Sequence, residues 1–260
     1  MARWLAALLL VLAAPGARAH DTWFEHLPAS VPGEQRLALG TGNRFPVHEV
    51  SVGAASLVTA QCRGADGRSV ALRPRRDDAR ALRLGVRVAP GTALTCYAQQ
   101  ATQELTLAPA LIDVYLDEIR APAAVRQRRA ALAARGLPWR ETYTKHARIE
   151  LGAGLSQPVP LGLDIVLDGA VPVEGGALGF RVLRQGRPLP QFAVELVHAG
   201  SGRGVWLQTD DAGRARVRVP LHGDWLLRGT DLRAHARQPD AWESDFVTLA
   251  FGVPAAPRLL

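Results

Sequence analysis

Short apolar runs separated by turn chemistry at intervals of about ten residues constrain this chain most, because that rhythm suits strands rather than helices. The clearest run is Ala81 to Val88, where Leu82, Leu84, Val86 and Val88 recur at every second residue and Arg83 and Arg87 fall between them. Such a strand buries one face and wets the other. Further strands are expected at Gln35–Gly40, Ala54–Cys62, Ser69–Arg73 and Leu94–Leu107, with turns at Gly64-Ala65-Asp66-Gly67 and Pro90-Gly91. The rhythm returns at Ala177–Arg184, Phe192–His198, Val205–Thr209, Arg214–Val219, Gly223–Arg228 and Trp242–Phe251. Asp210-Asp211-Ala212-Gly213 reads as a hairpin turn, since Asp and Gly suit turn backbone angles and the later bidentate Glu of a calcium loop is absent.

A different pattern separates the two strand-rich regions. Leu111, Val114, Tyr115, Leu116 and Ile119 fall at helical intervals, and Ala121 to Ala134 is rich in helix formers. Pro122 fits the first turn of a second helix, and Gly136 and Pro138 stop it. The expectation is a mainly β protein. Two β-sandwich domains of immunoglobulin or transthyretin-like type would flank a helical insert. The transthyretin-like likeness rests on the C-terminal order of strand, Thr-Asp-x-x-Gly turn, alternating strand and Gly-x-Trp strand. The expected boundaries are 20–108 for the first sandwich, 109–151 for the insert and polar stretch, 152–160 for a linker, 161–253 for the second sandwich and 254–260 for a tail.

With 48% hydrophobic and 21% charged residues, the chain is not of a disordered type. One segment, Trp4 to Ala14, is apolar enough for a bilayer but too short to span it stably. Arg3 precedes it, and Pro15-Gly16 and then Ala17-Arg18-Ala19 follow, in the small-x-small pattern of a cleavage site. This predicts a signal peptide over 1–19, a periplasmic protein without an integral membrane segment, and His20 as its first residue. The alternative is an uncleaved anchor. Cleavage removes Arg3 and Arg18 and no acid, lowering the formal net charge of +7 by two.

Nucleic acid is not an expected partner. Arg73, Arg75, Arg76, Arg83 and Arg87 are dispersed and lack stacking aromatics, and Arg126, Arg128 and Arg129 read as a solvated helix face. Cys62 and Cys96 are the only cysteines, so an oxidising compartment predicts a disulfide between them. Closing a loop of about 35 residues contributes roughly 3–4 kcal/mol on the chain-entropy model.

No nucleophile elbow, phosphate loop or dinucleotide fingerprint occurs, so an enzyme is not expected. A processed His20 offers two nitrogen donors, its amine and Nδ1, in a chelate suited to Cu(II) or Ni(II). The alternative is a histidine that only packs or hydrogen-bonds there. Any further imidazole comes from far along the chain, because no two histidines stand at metal-ligand spacing. His146, in the dense Glu141-to-Arg148 stretch, is the first choice and His235 the second, with Glu243 as a carboxylate ligand or orienting group. In the glycine-rich Gly40–Pro46 loop, Asn43 and Arg44 are ligand candidates, as is Lys145.

Several segments together resemble one family. They are the signal ending in Ala-His followed by Asp21-Thr22-Trp23-Phe24, the Gly40–Pro46 loop, Tyr143-Thr144-Lys145-His146-Ala147-Arg148, and Asp240 to Phe251. They look like uncharacterised exported bacterial proteins often described as periplasmic components of nickel/cobalt uptake. The resemblance covers nearly the whole chain after residue 19. It implies divalent-metal handling (nickel, cobalt or copper) beside a metal importer or outer-membrane receptor, and points to His20, Trp23, Asn43, Lys145, His146, Trp242 and Glu243. A structural or adaptor module of an envelope transport complex, holding no metal, is the alternative function.

Overall fold

The computed structural model describes residues 20–29, 31–202 and 204–257; the signal-peptide reading for 1–19 lies outside them. The alternating segments form strands, and the protein is mainly β with two short helices. The first part contains β1 (Asp21–Leu27), β2 (Glu34–Gly42), β3 (Val50–Ser51), β4 (Leu57–Gly64), β5 (Ser69–Ala71), β6 (Arg73–Asp77), β7 (Leu82–Arg87), β8 (Leu94–Gln100) and β9 (Gln103–Leu105). Helices α1 (Pro109–Glu118) and α2 (Ala123–Ala134) follow, each with proline at its start, where the missing N–H costs nothing. Then come β10 (Glu141–Leu151), β11 (Leu163–Leu167), β12 (Ala177–Arg184), β13 (Arg187–Pro188), β14 (Ala193–His198), β15 (Gly204–Gln208), β16 (Arg214–Arg218), β17 (Gly223–Ala234) and β18 (Trp242–Val253).

Among the described residues the strands form three sheets. A central nine-stranded sheet runs β15-β14-β17-β18-β10-β8-β4-β5, with β9 also on β10. One flanking sheet runs β1-β2-β7-β6 with β3 on β2; the other holds β11, β12, β13 and β16. The two halves of the chain therefore share one sheet. Their seam is the parallel pairing of β10 with β18, from Glu141 opposite Trp242 to Glu150 opposite Phe251.

Alternation along β18 shows how the layers stack. Ala250 packs into the core under β1, β2 and β7, with Phe24, Leu37, Leu39 and Leu84. Val247, Leu249 and Phe251 pack into the core under β11 and β12, with Ile165, Phe180 and Val182. Neighbouring residues of a strand point to opposite faces, so the two flanking sheets cover opposite faces of the central one. Strand β18 is consequently buried on both sides, which explains the near-continuous apolar run Phe246 to Phe251. A third core joins Ile112, Tyr115 and Leu116 of α1 and Val125 and Leu132 of α2 to Trp139, Trp242 and Phe246. There Trp139 and Trp242 stack with ring centroids 5.0 Å apart. Glu141 is buried among them and accepts hydrogen bonds from Trp139 Nε1 (2.8 Å), Tyr115 Oη (2.9 Å) and Ser244 Oγ. Burial raises its carboxyl pKa, against the lowering effect of those three donors.

The disulfide forms between Cys62 and Cys96, directly opposite each other on β4 and β8 and fully buried. Residues 152–160, expected as a linker, lie across β10 and are held there by Arg148. This side chain is 0% exposed. Its Nη1 donates to both Asp164 carboxylate oxygens at 2.9 Å, and its Nη2 to Glu150 Oε1, Ser156 Oγ and the Gln157 carbonyl at 2.7 Å. Truncating one member of a buried charged set leaves its partners uncompensated. Arg148→Met is expected to lower stability by about 3–5 kcal/mol in urea unfolding, with Arg148→Met/Asp164→Leu recovering part of the loss. A loss under about 1 kcal/mol for the single variant contradicts this role.

Candidate functional site

The start of β1 is fixed by the seam. Thr248 Oγ1 of β18 donates to the Thr22 carbonyl at 2.6 Å, and Lys145 Nζ of β10 donates to the His20 carbonyl at 2.8 Å. The Lys145 ammonium also lies 5.7 and 5.9 Å from the ring centroids of Tyr143 and Phe246. Burial lowers its pKa to about 8, while the nearby Asp21 carboxylate acts in the opposite direction.

Beside this anchor lies a cavity of about 350 Å³. Both halves of the chain build it. Asp21 and Asn43 come from the first half, Asp117 to Arg120 from the end of α1, and Glu195, Trp206 and Arg228 from β14, β15 and β17. Arg228 Nη1 donates to Asp21 Oδ2 at 2.6 Å, and its Nη2 lies 2.5 Å from Glu195 Oε2. Asp117 pairs with Arg126 at 2.8 Å, and the Arg120 guanidinium sits 4.9 Å from the Trp206 ring centroid. The lining is thus rich in carboxylates, and the two nearest to Arg228 are tied to it.

The residues expected to act with His20 are placed differently from one another. Lys145 touches the His20 backbone, so His146, the next residue on β10, points to the opposite face of the sheet. There His146 is 2% exposed and its Nε2 lies 2.7 Å from Asp245 Oδ1. Burial acts to raise the Asp245 carboxyl, but the His146 hydrogen bond and the Arg233 charge outweigh it and hold its pKa below the usual value. An ionised Asp245 makes Nε2–H the donor of this bond, while Nδ1 is a buried atom without a protein partner. Glu243 joins the same chain of charges through Arg233 Nη2, 2.5 Å from its Oε1. His235 lies beyond β17 in the turn to β18, where its Nδ1 accepts from the Arg237 and Gln238 amides at 3.1 Å. The fold therefore groups His20 with Lys145, and His146 with Glu243. His235 stands apart as a turn-forming residue. Among the described residues no group of three or more His, Cys, Asp and Glu side chains is placed to hold a metal ion. Arg228 and Asp245, which organise the two faces, escaped sequence reasoning because their partners lie far away in the chain.

The loop after β2 carries Asn43 and Arg44. Asn43 Nδ2 donates to Glu49 Oε2 at 2.9 Å while its Oδ1 is buried without a protein partner. Arg44 reaches the β14–β15 turn, where a Cβ on Gly202 would meet its Nη2 at 3.1 Å. His48 closes the loop over β1. It lies 4.9 Å from the Trp23 ring, its Nε2 lies 3.2 Å from the Trp23 carbonyl, and its Cγ would be 2.5 Å from a Cβ on Gly40. Burial lowers the His48 pKa from 6.5 to about 4, against the backbone hydrogen bond to Trp23.

The unfolded chain therefore takes up this proton first. The stabilisation is complete above about pH 6.5 and is lost as pH falls towards about 4, by roughly 3 kcal/mol. Urea unfolding of the protein and of His48→Gln at pH 7 and pH 4 checks this. The stability difference between the two should shrink by about that amount on acidification, and an unchanged difference contradicts it.

No curated protein matches this chain. Two solved structures are similar in part. A two-domain fibronectin type III segment of chicken tenascin shares 14% identity over 80% of this chain and 89% of that one, with a TM-score of 0.22. Native alpha-2-macroglobulin from Escherichia coli, spanning domains MG0-NIE-MG1, shares 9% identity over 85% of this chain and 95% of that one, with a TM-score of 0.21. Residues 17–230 match one family across most of the chain, and the protein belongs to that family, described as a domain of unknown function (DUF4198).

Proposed function

We propose that this is an exported divalent-metal-binding protein that assists uptake or delivery of nickel, cobalt or copper, with His20 as the residue that takes the metal. The reading includes signal cleavage after Ala19 and a periplasmic location. It is supported chiefly by the Lys145–His20 bond, which pins the backbone of residue 20 beside a carboxylate-lined cavity. A chelate formed by an amine and an imidazole of one residue gains from a fixed backbone, because less freedom is lost on binding.

The donor set fits a cargo site better than a permanent one. His20 brings two nitrogens. Of the nearby carboxylates, Asp21 and Glu195 are engaged by Arg228, and Asp117 by Arg126. A bound ion keeps positions for water or for a receiving ligand, which suits transfer to an importer. The amine has an ordinary pKa of about 8, so protons compete with the metal and affinity falls as pH drops.

Titration with Ni(II) and Cu(II), read by calorimetry and absorption, tests the reading on processed protein and on the same protein with the His20 α-amine acetylated. We expect one equivalent on the processed form and affinity at least about 100-fold weaker on the acetylated form, which has lost the chelating amine. His20→Ala, which loses the imidazole, should be weakened to a similar extent. Equal binding by all three proteins, or none by the processed one, contradicts the proposal.

A further inference from the structure

The pleat of the first flanking sheet gathers arginines that are dispersed in the sequence. On β7, Leu82, Leu84 and Val86 enter the core, so Arg83, Gly85 and Arg87 point outward. The register sets Arg36 of β2 and Arg73 of β6 on either side of Gly85, and places Arg76 beside Arg83. A bulge between Pro74 and Arg76 brings Arg75 over Gly85, where a Cβ would meet its Nε at 3.0 Å. Six guanidinium groups therefore share one outer face across three strands.

Most of this charge is uncommitted. Arg83 pairs with Asp78 at 3.1 Å and Arg36 donates to the Pro28 carbonyl. Among the described residues Arg73, Arg75, Arg76 and Arg87 are exposed and form no ion pair. Besides Asp78, the acids set on this face by the register are Glu34, opposite Arg87, and Glu25, opposite Ala38.

We propose that this face docks on an anionic phospholipid bilayer. Guanidinium groups bind phosphate bidentately, and one sheet face presents six of them side by side to a plane of phosphates. The face exposes no aromatic ring among these strands, so it lacks the stacking platform of a single-stranded nucleic-acid site. Its centre is a glycine, not the buried aromatic or aliphatic anchor from which protein interfaces draw most of their energy. A bilayer needs neither, since each basic residue near an anionic membrane contributes independently, by about a factor of five in affinity. The proposal does not depend on metal binding at His20.

Co-sedimentation with phosphatidylcholine vesicles, with and without about 30% phosphatidylglycerol, tests it on the processed full-length protein. We expect binding only to the anionic vesicles, weakened at least tenfold between about 0.1 and 0.5 M salt. Arg73→Gln/Arg75→Gln/Arg76→Gln should lower the partition coefficient about 100-fold. Arg214→Gln/Arg216→Gln/Arg218→Gln removes equal charge from the outer side of β16, on the other flanking sheet, and should lower it less than about threefold. Should the first triple variant unfold, Arg87→Glu and Arg36→Glu, each on a different strand, should each lower it about tenfold. Binding to neutral vesicles, equal loss in both triple variants, or capture by polyglutamate but not by anionic vesicles overturns the proposal.

Discussion

The parallel pairing of β10 with β18 is the interaction on which the rest of this structure depends. It joins strands nearly a hundred residues apart and turns two sets of antiparallel strands into one sheet. Each face of that sheet then needs its own cover, which the two flanking sheets supply. Because β10 and β18 sit at the middle of the sheet, both of their faces are committed. Apolar residues fill most of β18, and the buried charges of β10 are satisfied in sets, such as Glu141 with its three donors and Arg148 with Asp164 and Glu150. Such sets cost stability to assemble but specify register, because a slip of one residue would strand every charge.

The candidate site is a product of the same seam. Its anchor residue, Lys145, comes from β10, while the Thr248 contact that sets β1 comes from β18. Its cavity is closed by α1 from one half and by β14, β15 and β17 from the other. The His146–Asp245–Arg233–Glu243 chain lies on the reverse face and ties β10, β18 and β17 together. Two adjacent residues, Lys145 and His146, thus serve opposite sides of one strand. The first meets the chain just before β1, and the second stitches the sheet.

Much of the fold is legible in the sequence wherever one face of a strand is wet. Strand β12 spans the expected Ala177–Arg184, and β7 follows the alternation of Leu82, Leu84 and Val86. Strand β10 is not legible in that way. Its alternate residues Thr142, Thr144, His146, Arg148 and Glu150 are polar yet line a covered face, so the hydrophobic alternation of Tyr143, Ala147, Ile149 and Leu151 reads as an irregular polar stretch. The sharing of one sheet by both halves has no local signature, since a parallel partner can lie anywhere downstream. The arginines of the first flanking sheet are hidden for a related reason. They stand up to about fifty residues apart in sequence, and only the register makes them neighbours. Of the residues expected to bind metal, His20 is singled out by the cleavage pattern, whereas the placing of His146 on the opposite face follows only from the direction in which β10 presents it.

If the shared sheet governs the structure, the two halves unfold together. The most direct measurement is native-state amide exchange across the urea transition, comparing β8 in the first half with β14 in the second. The account predicts that the slowest amides of both strands converge on one opening free energy and one urea dependence. Separate transitions, with β8 exchanging through an opening that leaves β14 protected, would contradict it.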